Sequence, residues 1–255
     1  MILRIMPDYR ILPLGDTALT LEFGDRIDPA LQAAVSALDQ SIADARAQGR
    51  LHGIVETMPT FRSLTVIFDP LETDHGRISE ALSTLSGNGH ELTREARHWL
   101  LPACYEPDFA PDLGSVASTI DGDTATVVRL HSECEYVVYM LGFLPGFPFM
   151  GDLPEALRLP RRTEPRTRVP AGSVAIATGL TAIYPWESPG GWHLLARCPV
   201  PLFDAQRETP ALLQAGDRVR FEPVRAAEYV RIERALATGE LNPGTFRTDH
   251  GADLA

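Results

Sequence analysis

Between Glu135 and Val224, glycine and proline cut the chain into short apolar runs, and this punctuation limits the fold more than any other feature. The runs are "EYVVYMLGF", "SVAIATG", "TAIYPW", "GWHLLARCP" and "DRVRFEPV". Several short strands with Gly and Pro between them predict a closed, barrel-like β domain. Two short helices precede them, "DLGSVASTI" and "DTATVVRLHS", with Asp112 and Asp123 placed to cap their first turns. "HWLLPACYEPDFAPDL" reads as a set of proline-rich entry loops, and "AAEYVRIERALATG" as a closing helix. Roughly the last fifteen residues read as a loose tail.

The first ninety or so residues have a different texture. "YRILPL" and "ALTLEF" are strand-like and joined through Gly15-Asp16. "DPALQAAVSALDQSIADARAQG" is a helix, with Asp28 as cap, Pro29 in the first turn and Gly49 at its end. Leu31, Val35, Leu38 and Ile42 form its apolar stripe. "GIVETM" and "SLTVIFDP" read as strands, and Ile78, Leu82 and Leu85 mark a second amphipathic helix. The expected class is α+β. A small α/β domain (1–90) leads into a β-barrel domain (91–225), then a C-terminal helix and tail (226–255), with the first break in the Gly-rich "SGNGHE".

Composition narrows the chemistry. At 255 residues with 44% hydrophobic content, the chain can bury one large core or two smaller ones. A formal net charge of -11 argues against nucleic-acid and anionic-membrane partners. No apolar run approaches the roughly 20 residues of a membrane span, and the start carries no cleavage-site pattern, so a cytoplasmic location is expected. Cys104, Cys134 and Cys198 are odd in number and widely spaced, as expected of reduced thiols. No H-x-x-x-H pair or Cys/His quartet is present, so no metal site is expected.

All 23 basic residues are arginine. The absence of lysine excludes a Walker A lysine, a Schiff-base lysine and a lysine general base together. Any carboxylate or phosphate must be met by a guanidinium fork or by backbone N–H groups.

Three stretches could carry chemistry. "GFLPGFPFMGD" (142–152) spaces aromatic anchors with Gly and Pro; Pro145 and Pro148 argue against a helix or a central strand. It is either a hydrophobic crossover capping the barrel or the wall of an apolar pocket. "PRRTEPRTRVPAGS" (160–173) places Arg161, Arg162, Arg166 and Arg168 in a proline-stiffened loop of an acidic chain. It reads as a solvated loop or as an anion-reading one, with Arg166 and Arg168 the candidates. "ESPGGWH" (187–193) sets Glu187, Ser188 and His193 close in sequence. Catalytic trios normally converge from distant segments, and Ser188 before Pro189 is held extended without an exposing elbow. Gly190-Gly191 instead permits positive φ and a nest of N–H donors for an anion. Among the histidines, His131 ends a helix, where the dipole favours a cationic imidazole, and His193 opens a strand. Either is structural or an acid–base group.

Long stretches of the second half are similar to a known family. "EYVVYMLGFLPGFPFMGDLPEALRLPRRTEPRTRVPAGSVAIA", "IYPWESPGGWHLLARCPVPLFD" and "PALLQAGDRVRFEPV" resemble the B component of bacterial ATP-dependent 5-oxoprolinase. That family is also labelled allophanate hydrolase subunit 1 and includes the sporulation kinase inhibitor KipI. "LGDTALTLEFGD" and "VETMPTFRSLTVIFDP" extend the resemblance into the first half. It implies a cyclophilin-like barrel after the small α/β domain, and partnership with the C and A components of 5-oxoprolinase. The implied complex opens 5-oxo-L-proline to L-glutamate with ATP and water, the ATP site not being assigned to this chain. The resemblance places Arg62, Arg166, Arg168, Ser173, Ser188, Gly190 and Gly191 at a substrate or anion site. Tyr139, Phe143, Pro145, Gly146, Phe147 and Trp192 would form a pocket wall, with His131 as acid–base candidate. Two other implied roles are inhibition of a sensor histidine kinase and biotin-linked carboxyl transfer on a urea- or allophanate-like amide. Thr178, Leu180, Ala182 and Trp186 depart from the family's Gly, Gln, Gly and Leu, which bears on substrate preference.

Overall fold

Strand runs in the first half alternate so that one face of a sheet is apolar, and that face is what the two helices cover. The computed structural model describes residues 9–87 and 96–248, which divide between two compact units, Met1–Glu95 and Ala96–Ala255. In the first unit, β1 (Arg10–Pro13), β2 (Ala18–Glu22), β3 (Ile54–Pro59) and β4 (Ser63–Phe68) form an antiparallel sheet in the order β1-β2-β4-β3. Leu19, Leu21, Leu64, Val66 and Phe68 are buried against α1 (Pro29–Ala47) and α2 (His75–Gly87). Asp28 caps α1 through the Ala30 N–H at 2.8 Å, with Pro29 in the first turn. The Gly-rich break at "SGNGHE" falls mostly outside the described residues.

The second unit contains a closed barrel. Its strands are β5 (His98–Cys104), β6 (Tyr136–Leu141), β7 (Pro148–Gly151), β9 (Ser173–Ala177), β10 (Leu180–Ile183), β12 (His193–Arg197) and β13 (Arg218–Val224). The order β12-β9-β10-β7-β6-β13-β5 closes through an Arg197–Cys104 pairing between β12 and β5. The two remaining inner strands, β8 (Arg166–Val169) and β11 (Ser188–Gly190), form a separate two-stranded ribbon. Three helices complete the unit: α3 (Leu113–Thr119), α4 (Thr124–Ser132) and α5 (Ala226–Ala237).

Three expectations are corrected here. "HWLLPAC" is a barrel strand, not a loop, and β13 pairs with it in parallel along its whole length. On its other edge β12 engages only Cys104, so Pro102 sits where that edge lacks a ladder partner. Likewise β7 lies between β6 and β10 although Pro148 opens it. Pro148 is the first residue of the strand, where a missing donor is tolerated. Gly151 is required in β7 because the Tyr139 ring would lie 1.6 Å from any added Cβ. Finally, residues 241–248 are not a loose tail: β14 (Arg247–Thr248) pairs with Trp99 and His98.

Thr178 and Gly179 join β9 to β10 with φ of 49° and 87°. A two-residue hairpin with both φ positive favours Gly or Asn at each position, so Thr178 holds a strained conformation. Among the described residues, no helix is long and apolar enough to cross a membrane.

Candidate functional site

The arginine-rich loop and the "ESPGGWH" loop are two strands of one ribbon. Val169 of β8 pairs with Ser188 of β11, and Arg166 pairs with Gly190. This pairing explains why each proline-bounded stretch stays extended: each supplies the other's ladder partner.

Arg166 and Arg168, expected to act as a pair, point to different partners. Arg168 forms a two-pronged ion pair with Glu187, at 3.0 and 2.8 Å, with both side chains largely exposed. The pair holds the Glu187 carboxyl below its usual range and raises Arg168. Arg166 reaches instead to Asp112, which is buried. The Asp112 Oδ1 accepts from Arg166 Nη2 at 2.6 Å and from Arg162 Nη1 at 3.0 Å, and Oδ2 accepts from the Leu194 N–H at 2.7 Å. Asp112 was expected to cap α3; its side chain makes no cap, and its backbone is in the αR region. The carboxylate is used across the fold, where it gains two charge-assisted bonds rather than one local one. Two arginines share this one carboxylate, and Arg166 Nη1 is buried with no hydrogen-bond partner among the described residues.

Beside the ribbon stands an aromatic cluster. Phe147 is buried against Tyr184 (ring centroids 5.0 Å), Phe149 (4.9 Å) and Trp192 (6.4 Å), and Phe143 meets it edge-on at 5.4 Å. Phe143 is itself exposed with φ of 68°. Gly146 has φ of 76°, and an added Cβ would lie 2.8 Å from Phe203. Trp186 is exposed and donates to the Pro145 carbonyl at 3.2 Å. Loop 142–147 thus carries aromatic anchors on the barrel, as the sequence predicts, while Pro148–Gly151 of "GFLPGFPFMGD" is strand.

Tyr184 connects cluster to ribbon. An added Cβ on Gly190 would lie 2.4 Å from the Tyr184 hydroxyl. Gly190 is therefore needed for close approach. Neither Gly190 nor Gly191 has positive φ, so the expected nest of N–H donors built on that conformation is not formed. Burial raises the Tyr184 phenol, while the charges of Arg161 and Arg166 pull it back down. No hydrogen bond among the described residues engages its hydroxyl, although the side chain is buried.

The remaining candidates lie elsewhere. His131 is fully buried in the barrel core: its Nδ1 meets the Tyr105 hydroxyl at 2.7 Å, its Nε2 meets the Thr181 hydroxyl at 3.0 Å, and its ring stacks on Phe221. Burial lowers its pKa to about 3, so the imidazole is neutral. The expected helix-end cation is corrected, because desolvation outweighs the dipole. Arg62 pairs with Glu22 at 2.8 Å and with the Gly24 carbonyl, all within the first unit. Tyr139 donates to Asp152 at 3.1 Å. Ser173 is buried at the start of β9, and Ser188 is buried with its hydroxyl 3.4 Å from the Pro189 carbonyl. His193 contacts the Pro160 carbonyl at 2.9 Å through Nε2, and its Nδ1 is buried without a partner among the described residues. Glu187, Ser188 and His193 thus have separate partners and form no trio. No group of three or more potential metal ligands converges among the described residues. Sequence reasoning missed Asp112 and Tyr184 as site residues. Tyr184 sits within "IYPWESPGGW", and its position before the Pro-Gly-Gly turn was the available signal.

Residues 9–213 match the family model described as carboxyltransferase domain, subdomain C and D. The chain is 36% identical over 235 residues to the B component of 5-oxoprolinase from Bacillus subtilis, covering 87% of this chain and 95% of that protein. It is 40% identical over 218 residues to the B component of 5-oxoprolinase from Escherichia coli O157:H7, covering 86% and 97%. Among solved structures, the protein TTHA0988 superposes with a TM-score of 0.74 at 38% identity, covering 83% of this chain. The chain spans only 41% of that longer polypeptide.

Proposed function

The chain belongs to the carboxyltransferase subdomain C and D family, and from that premise we propose that it is the B component of a 5-oxoprolinase. The observation that carries the reading is the near full-length identity to proteins of that name, 36% and 40% over at least 95% of their lengths. In this reading the chain works with the A and C components, in the cytoplasm. The complex hydrolyses the lactam C–N bond of 5-oxo-L-proline to give L-glutamate, while ATP becomes ADP and phosphate. The ATP site is not assigned to this chain.

The geometry is compatible with a substrate-holding role. An arginine ribbon stands against an aromatic cluster, so a small ring bearing one anionic group would meet apolar and cationic surface together. Arg168 can leave Glu187 at little cost, since exposed ion pairs contribute little. His131 is not a proton donor in this scheme, because it is neutral, bonded at both nitrogens and remote from solvent.

The test is reconstitution. Purified chain, mixed with the A and C components, is expected to release ADP and glutamate only when 5-oxo-L-proline is present. Omitting the chain should abolish the dependence. A complete mixture without 5-oxoproline-dependent ADP release would sink the reading.

A further inference from the structure

We infer that the Tyr184 hydroxyl, with Arg161 and Arg166, receives the carboxylate of the small lactam substrate. The inference rests on the 5-oxoprolinase reading and adds to it a residue with a defined donor atom.

Four observations converge. Tyr184 is fixed from both sides of its backbone, its N–H donating to the Ser173 carbonyl at 2.9 Å and its own carbonyl accepting from Gly172 at 2.7 Å. Its ring is held edge-on by Phe147. Its hydroxyl has no partner among the described residues, an unusual state for a side chain only 2% exposed. Gly190, the ladder partner of Arg166, lies against that hydroxyl, where any Cβ would collide.

The surrounding charge selects an anion. Arg162 and Arg166 share the single carboxylate of Asp112, leaving one positive charge uncompensated. Arg161 is exposed and forms no ion pair among the described residues. The phenol remains protonated at neutral pH, because burial raises it, and so donates one O–H. One neutral donor beside guanidinium forks suits a planar monoanion. Asp112 is then a positioning residue. It holds Arg166 from behind and clamps it to β12 through Leu194.

The experiment has two arms. In the first, the full chain carries 13C-labelled tyrosine at Cζ, and the Tyr184 resonance is assigned by its loss in Tyr184→Phe. Titration with 5-oxo-L-proline is expected to shift that resonance, whereas pyrrolidin-2-one, the same ring without a carboxylate, leaves it in place. Arg161→Gln should weaken the 5-oxo-L-proline response at least fivefold. A resonance unmoved by 5-oxo-L-proline, or moved equally by both rings, overturns the inference. So does a shift produced by inorganic phosphate and not by 5-oxo-L-proline.

In the second arm, the reconstituted complex is assayed. Tyr184→Phe and Arg161→Gln should each raise KM for 5-oxo-L-proline about tenfold, with kcat within twofold. Asp112→Asn should raise KM similarly, with Asp112→Glu intermediate, a graded recovery that general loss of folding would not give. An active complex in which Tyr184→Phe leaves KM within twofold overturns the site and spares the function. An inactive wild-type complex whose Tyr184 resonance still follows the carboxylate overturns the function and spares the site.

Discussion

Two buried aspartates in the barrel unit look alike in sequence and do different things. Asp217 is 2% exposed and accepts from Arg97, from the Trp99 indole at 3.1 Å and from the Gln214 N–H at 2.9 Å. One carboxylate meets one guanidinium there, every partner belongs to the region joining β5 to β13, and the charges balance. Asp112 is 3% exposed and meets two guanidiniums. Its excess of positive charge faces the ribbon. A balanced buried pair fastens strands together, whereas an unbalanced one leaves donor capacity that a ligand can use.

Breaking Asp217 should have the largest effect. Asp217→Ala leaves Arg97, 18% exposed, without its carboxylate, and is expected to destabilise the barrel unit by about 3–5 kcal/mol. Urea unfolding followed by tryptophan fluorescence measures this, because Trp99, Trp186 and Trp192 all lie in that unit. Asp112→Ala should cost less, about 2–3 kcal/mol, because Arg162 and Arg166 keep 30% and 25% exposure and can turn to water. An equal or larger loss at Asp112 would erase the distinction between fastening and holding.

His131 sharpens the comparison from the neutral side, since its two hydrogen bonds compensate a group that carries no charge. Its folded pKa, about 3, lies below the unfolded value near 6.5. Protons therefore bind the unfolded chain first. The stabilisation is complete above pH 6.5 and is lost as pH falls from there toward 3. By pH 5 the loss should reach about 2 kcal/mol. In His131→Gln the slope between pH 6.5 and 5 should flatten; an unchanged slope would assign the acid sensitivity to other groups. The smallest effect belongs to the exposed ion pair. Arg168→Gln should leave the urea midpoint unchanged, and a clear drop would show that the ribbon depends on Glu187 for its fold.

Local signals were legible where one element could satisfy itself. Asp28, Pro29 and Gly49 bounded α1, and Asp123 capped α4 through the Thr126 N–H at 2.7 Å. The barrel was legible as a class from its punctuated strands, but β5 and β7 were hidden by Pro102 and Pro148. Both prolines occupy positions where the ladder needs no donor, and only the neighbours' register reveals that. The candidate site was half legible. The arginine loop, the Pro-Gly-Gly turn and the aromatic anchors stood out by residue type, yet nothing local showed that the first two would pair.

By itself, then, the sequence determined the class of the fold, its two-part order, the reliance on arginine for any anion, and the improbability of a trio within "ESPGGWH". Tertiary structure decided which arginine is fastened and which is exposed. It removed His131 from solvent, turned Asp112 from a helix cap into the holder of Arg166, and brought the Tyr184 hydroxyl under Gly190. The physical reason is common to all four. A side chain's charge state and free donors depend on desolvation and on partners that arrive from distant strands, and neither is encoded in its immediate neighbours.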